Sequence, residues 1–319
     1  PHLFASGGGT ALTTSPPPAG QAPPATTRSS PTVVPLASPP PLTISAVGAG
    51  LSTPLTRAEA EVHGAGLWVL GGESGTLTSG RVQGIDPVSG TASTVGTLAA
   101  AVHDAASAPY GTGVMLLGGG GSSPIATVQS FDGKTAATVG QLPEPRSGAV
   151  AVSIGSTIYL LGGNDGNGDA PSVLSTTDGK TFHVVGQLPL AVEEAGAAVI
   201  GSTIYLIGGI SNGVQTSDIQ SINVATGAIG VASRLPVTLS DESAFTLGGA
   251  LFVAGGRSGT TYRNQVDSVN PTTGLLARSG LLPEGLADAA TARLGNSVYL
   301  IGGENPTQLK TVLRIAAPA

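Results

Sequence analysis

The chain has 319 residues and no cysteine, which excludes disulfides, thiol catalysis and thiolate metal sites and suits an exported bacterial protein. Its net charge is −6, with lysine only at Lys134, Lys180 and Lys310, so it carries no basic footprint for nucleic acid and favours neutral or cationic partners. No apolar run reaches the roughly 18 residues of a membrane span.

Residues 1–41 hold eleven of the 24 prolines, with Ser, Thr, Ala and Gly filling most of the remainder and Arg28 as the only Lys or Arg. That composition cannot build a core, and it predicts either an extended proline-rich stalk or, if ordered, a docking tail that lies on its own domain or a neighbouring subunit. The first residue is Pro1 rather than Met, which predicts a processed N-terminus and an extracellular or envelope-associated location. From Leu42 the pattern changes, and Leu42 to Val47 reads as a strand of the kind that ends each later repeat.

Six glycine pairs then punctuate the chain, beginning at Gly71, Gly118, Gly162, Gly208, Gly255 and Gly302 at spacings of 47, 44, 46, 47 and 47 residues. Seven residues before each pair stands another glycine: Gly64, Gly111, Gly155, Gly201, Gly248 and Gly295. Three residues before it stands a large side chain, Trp68, Met115, Tyr159, Tyr205, Phe252 or Tyr299. Each copy is a short strand apolar on both faces, as in Ile158 to Leu161, so each must lie in a sheet covered on both sides. The earlier glycine supplies the positive φ of a hairpin turn, and the pair ends the strand and lets sheets approach. About 45 residues per unit fits four strands, and six such units arranged radially predict an all-β, six-bladed propeller over residues 42–315, with a short tail at 316–319. The sixth repeat runs out after three strands, so the strand at 42–47 is expected to complete it and close the ring.

The glycine pair after an apolar strand, with tyrosine or another large residue three positions earlier, resembles the kelch repeat over residues 42–315. Kelch repeats usually carry a Tyr and a Trp downstream of the pair. Those are missing here, which marks a divergent, bacterial exported form with a fold similar to the central domain of galactose oxidase. The copper chemistry of that enzyme is not implied, because it needs a tyrosine linked to a cysteine.

In a propeller, the loops between blades and those after each second strand open on one face. Fourteen residues before the glycine pairs come Arg57, Asp104, Gly148, Glu194, Asp241 and Asp288, with Glu59, His103, Glu193 and Glu242 alongside. This predicts a mouth rich in carboxylates, interrupted by Arg57 and Arg146, that either caps the blade ends or binds a protein, glycan or cation. The loop holding Asp165, Asn167 and Asp169 spells D-x-N-x-D and is a candidate for calcium, although Ala170 and Thr176 replace the glycine and glutamate of an EF-hand loop. No other cofactor is expected. Only His103, beside Asp104, is placed to act as an acid or base. The leading expectation is a non-catalytic surface module. The alternatives are a self-assembling surface or filament subunit, suggested by the tail and a charged fraction of only 10%, and a carbohydrate-active isomerase or lyase using His103, Arg57 or Arg146.

Overall fold

A computed structural model describes residues 41–318, which form a ring of six four-stranded antiparallel blades. The expectations for the proline-rich segment lie outside these residues. Among the described residues no helix is long and apolar enough to cross a membrane. The first strands are Glu59–His63, Ala106–Tyr110, Val150–Ile154, Gly196–Ile200, Ser240–Leu247 and Ala290–Leu294. They meet one another around the axis, and the later strands of each blade step outward from them.

The ring closes as the repeat pattern predicts. Thr43–Ala46 pairs antiparallel with Val312–Ala316 as the outer strand of blade 6, in a register from Thr43 opposite Ala316 to Ala46 opposite Leu313. Both ends of the propeller are thereby hydrogen-bonded into one sheet. Ala316, assigned above to the terminal tail, belongs to that closing pair.

The apolar second strands are covered on both faces because each is sandwiched between neighbouring blades. Six clusters of buried side chains result, one at each blade interface. Trp68, Leu70 and Val82 meet Val114, Leu116 and Phe131 between blades 1 and 2. Val47, Leu51 and Leu55 join Tyr299 and Ile301 across the closure. Burial of each such aliphatic side chain contributes about 1.5–3 kcal/mol, so the stability of a blade resides largely in its neighbours.

The hairpin glycines have the expected left-handed backbone, with φ of +59° at Gly64, Gly111, Gly201, Gly248 and Gly295 and +62° at Gly155. The glycine pairs do more than end strands. The second glycine of each pair donates its N–H to a carbonyl at the entry to the next blade: Gly72 to Val102, Gly119 to Arg146, Gly163 to Val192, Gly209 to Leu239, Gly256 to Leu286 and Gly303 to Leu55, all at 2.7–2.8 Å. The first glycine packs against the same carbonyl so closely that a Cβ would fall 2.1–2.4 Å from its oxygen. Glycine is therefore required twice over, for the positive φ and for the approach of the next blade.

Candidate functional site

The inner strands surround an axial channel of about 410 Å3. Its wall carries alanine at positions such as Ala58, Ala60, Ala105, Ala149, Ala197 and Ala244, and these small side chains leave the axis open.

One end of the channel is crossed by a closed ring of backbone hydrogen bonds. Asp104 N–H donates to the Arg57 carbonyl (3.1 Å), Gly148 to Asp104 (2.9 Å), Glu194 to Gly148 (2.9 Å), Asp241 to Glu194 (3.0 Å), Asp288 to Asp241 (3.0 Å) and Arg57 to Asp288 (3.2 Å). These are the six positions fourteen residues before the glycine pairs. All have left-handed φ, +54°, +50°, +64°, +53°, +59° and +54° in chain order. That backbone costs a side-chain-bearing residue about 1–2 kcal/mol. Among the described residues the only other non-glycine with positive φ is Asn212. Backbone strain is thus concentrated at one end of the axis, where the ring of bonds holds it in place.

The side chains at this ring form two charged groups. Arg57 Nη1 lies 3.4 Å from Asp104 Oδ2 and 4.0 Å from Glu73. Burial opposes the Arg57 charge, but Asp104, Asp288, Glu194 and Glu73 outweigh it and hold the guanidinium above the usual arginine range. Across the mouth, Arg257 Nε donates to Asp241 Oδ2 at 2.8 Å, and Ser240 Oγ donates to the same oxygen at 2.6 Å. The Arg257 guanidinium lies over the Tyr262 ring, 5.9 Å from its centroid, and Tyr262 donates its hydroxyl to Glu304 at 2.8 Å. Arg257 also lies 3.8 Å from Asp288 Oδ2, too far to hydrogen bond, and that oxygen is buried with no hydrogen-bond partner. Glu194, Asp241 and Asp288 each place a carboxylate oxygen within 4.8 Å of the others. Gly148 makes room for this convergence, since a Cβ there would lie 2.7 Å from Glu194 Oε1. Burial first, and then mutual repulsion, push Glu194 and Asp288 well above the ordinary carboxylate range; burial also raises Asp104, against the pull of Arg57.

Further along the channel, Ser107 Oγ lies 2.9 Å from both Glu59 Oε2 and Glu61 Oε1. A hydroxyl has one hydrogen to donate, so both contacts are hydrogen bonds only when one carboxyl is protonated. Burial pushes Glu59 up to about 8 and Glu61 up to about 7, in keeping with a shared proton. Glu242, also raised to about 8 by burial, accepts the Gly196 N–H at 3.1 Å with one oxygen and leaves the other buried and unpartnered.

The structure therefore gathers Arg57, Glu59, Asp104, Glu194, Asp241, Glu242 and Asp288 on one channel. His103 and Glu193 each stand one residue before the ring. His103 Nδ1 is 3.0 Å from Thr78 Oγ1, with its other nitrogen 3.8 Å from Asp104, and burial together with Asp169 raises the Glu193 carboxyl. Arg146 departs from the expectation of a mouth residue. It is fully buried within the ring wall, donating to the Gly162 carbonyl at 2.6 Å, to the Ser172 carbonyl at 3.2 Å, and to Glu144 and Ser172 Oγ. Its charge anchors the glycine pair of blade 3, and the second cation of the mouth, beside Arg57, is Arg257 instead. In the D-x-N-x-D loop, Asp165 Oδ1 accepts the Asn167 and Gly168 N–H groups at 2.6 and 3.0 Å. Asp169 bonds Asn164 Nδ2 and the Asn212 N–H at 3.2 and 2.6 Å. The loop satisfies these carboxylates from its own surroundings.

Arg257, Tyr262, Glu304, Glu61 and Ser107 were not singled out from the sequence. A signal for two of them exists: Arg257 and Glu304 directly follow a glycine pair, as does Glu73, in a column that pairs with the residues just before the ring.

No protein-family model matches the chain, and no curated protein matches it. Among solved structures, that of YjhT is similar in fold, with a TM-score of 0.71 over 83% of this chain and 95% of that chain at 15% sequence identity. At that identity the likeness shows the propeller fold alone.

Proposed function

We propose that the chain is a divergent kelch-type propeller acting as a non-catalytic binding module outside the cytoplasm, carried on a proline-rich stalk, and that its acidic mouth recognises positive charge on a protein or glycan partner. One observation carries this reading. Four of the six ring positions are acidic, on a backbone held in a strained conformation, and among the described residues the guanidiniums within 4 Å of them are those of Arg57 and Arg257. A merely structural ring would be served by glycine, which adopts that backbone at lower cost, or by asparagine, which adopts it as readily as aspartate without a charge. Clustered carboxylates in a low-dielectric mouth instead focus a negative potential on whatever approaches the axis.

The test is calorimetric titration of the full chain, freed of metal ions, with a lysine-bearing peptide and with an amino-sugar oligomer. The N-acetylated form of each probe is the control, because acetylation removes the charge and keeps the shape. Binding of at least one cationic probe is expected, weakened by salt and by Asp104→Asn with Glu193→Gln. Equal binding of the acetylated probes, or unchanged binding by that variant, overturns the reading.

A further inference from the structure

Glu194, Asp241 and Asp288 stand on three consecutive ring positions, in blades 4, 5 and 6, and their backbones are bonded N–H to carbonyl in series. Three features of the group bear on what it holds. Its oxygens lie within 4.8 Å of one another. Oxygen ligands of calcium stand about 2.3–2.6 Å from the ion, so two ligands on opposite sides of one ion are about 5 Å apart, and the group spans one such ion. Second, Asp288 Oδ2 is buried without a hydrogen-bond partner, on a side chain only 4% exposed. A buried carboxylate oxygen with nothing donating to it lacks a positive partner at the distance of a direct bond. Third, among the described residues the guanidinium that comes within 4 Å of any of the three carboxylates is that of Arg257, which is already committed through Nε to Asp241 at 2.8 Å, while Arg57 lies farther off and is paired with Asp104 at 3.4 Å. Neither Glu194 nor Asp288 makes a hydrogen bond to a guanidinium, and a bound divalent cation would hold both carboxylates ionised.

We infer that the mouth holds one divalent cation of the hard, oxygen-preferring class, calcium in the first instance, between Glu194, Asp241 and Asp288. The inference rests on the reading of the mouth as a site for positive charge and says which charge resides in its floor. A set of oxygens with no nitrogen or sulfur suits calcium, magnesium or manganese and disfavours zinc and copper. Asp104 stays with Arg57 and is not a ligand. With three protein ligands, the ion keeps open positions toward the channel axis, where hydroxyl or carboxylate oxygens of a bound partner can join it. Groups of the partner that are themselves cationic then meet the acids outside the floor, Glu193 and Asp104.

The experiment is titration of the chelator-treated full chain with calcium chloride alone, followed by calorimetry and by thermal melting. One ion per chain is expected, with a dissociation constant of about 0.1–1 mM, the range of extracellular calcium modules, and a melting temperature that rises with calcium. Asp288→Asn and Glu194→Gln should each weaken the affinity at least about tenfold. Asparagine adopts the left-handed backbone as readily as aspartate, so melting of the Asp288→Asn variant in chelator should match the parent. The double variant Asp165→Asn with Asp169→Asn should bind calcium as the parent does. No heat and no melting shift up to about 10 mM calcium, well above that range, overturns the inference. So does calcium binding that survives Asp288→Asn and Glu194→Gln, or that is lost only in the 165/169 double variant. The two readings fail separately: calcium binding without any response to cationic peptide or amino sugar sinks the partner, and the converse sinks the metal.

Discussion

Gly201 and Gly208 have the same backbone dihedral, φ +59°, and stand seven residues apart in blade 4, yet they occupy different surroundings. A Cβ at Gly201 would meet nothing within 4 Å, whereas one at Gly208 would lie 2.3 Å from the Leu239 carbonyl oxygen of the next blade. Gly201→Ala therefore incurs only the left-handed backbone term, about 1–2 kcal/mol. Gly208→Ala incurs that term and must also push the Leu239 carbonyl away by about 0.7 Å to reach even the closest contact that real Cβ atoms show. The same carbonyl accepts the Gly209 N–H at 2.8 Å, so the displacement weakens an interblade hydrogen bond worth about 1 kcal/mol and disturbs the packed Leu239. Repacking of that kind costs about 1–3 kcal/mol, giving a total of about 3–6 kcal/mol for Gly208→Ala. In a domain of this size each kcal/mol lowers the melting temperature by about 2 °C, so losses of roughly 6–12 °C for Gly208→Ala and 2–4 °C for Gly201→Ala are expected. Calorimetric melting of both variants beside the parent decides it. Equal losses at the two sites would refute the claim that the glycine pair is a clasp between blades and leave it a strand terminator only.

Titration of the channel wall should give stability an unusual pH dependence. Glu59 and Glu61 have ordinary carboxylate values in the unfolded chain and about 8 and 7 in the folded one, so between those limits the folded state binds more protons than the unfolded. Their stabilising contribution is complete below the unfolded values and is lost as pH rises toward 8, with a slope of at most about 1.4 kcal/mol per pH unit for each proton. Urea denaturation from pH 5 to 9 should show the decline, and Glu59→Gln should flatten it and raise stability at pH 8; a curve that rises from pH 5 to 8, or one unchanged by the substitution, contradicts the shared-proton account. Arg146→Ala leaves Glu144 without its partner and frees the Gly162 and Ser172 carbonyls, and a loss of about 3–5 kcal/mol in urea is expected with binding at the mouth intact. If that variant melts with the parent, Arg146 is not the anchor of blade 3. Removal of the residues through Val47 strips the outer strand from blade 6 and exposes the edge of Val312–Ala316. Aggregation or a marked loss of melting temperature is expected by size-exclusion chromatography and melting. A monomer with parent stability would show that the ring does not depend on its closing strand.

The fold was legible in the residues because the repeating signals are local. A hairpin needs a positive φ, a strand sandwiched between blades needs apolar residues on both faces, and a close approach of backbones admits only glycine. Each requirement falls at a fixed distance from Gly71, Gly118 and their equivalents. Counting those copies determined the number of blades, and the three-stranded sixth repeat determined that Thr43–Ala46 would close it. Column counting also brought Asp104, Glu194, Asp241 and Asp288 together, since equivalent positions in a ring share one end of the axis.

What spacing could not tell was where a long side chain goes from its column. Arg146 and Arg257 both lie near glycine pairs, yet the Arg146 guanidinium turns into the wall toward Gly162 and Ser172 while that of Arg257 reaches the mouth. Gln129 and Gln220 likewise read as ordinary polar strand residues, but they are buried and each bonds both backbone groups of an entering loop residue, Ala100 and Leu190. The contacts of Ser107 with Glu59 and Glu61 arise from strands about 47 residues apart, and the unpartnered oxygen of Asp288 from what fails to reach it. Glycine and strand patterns are dictated by backbone geometry within a few residues, so the amino-acid order by itself determined the propeller and the columns of its ring. Burial, charge pairing and left-handed strain at the mouth depend on neighbours from other blades, and only the assembled ring decided them.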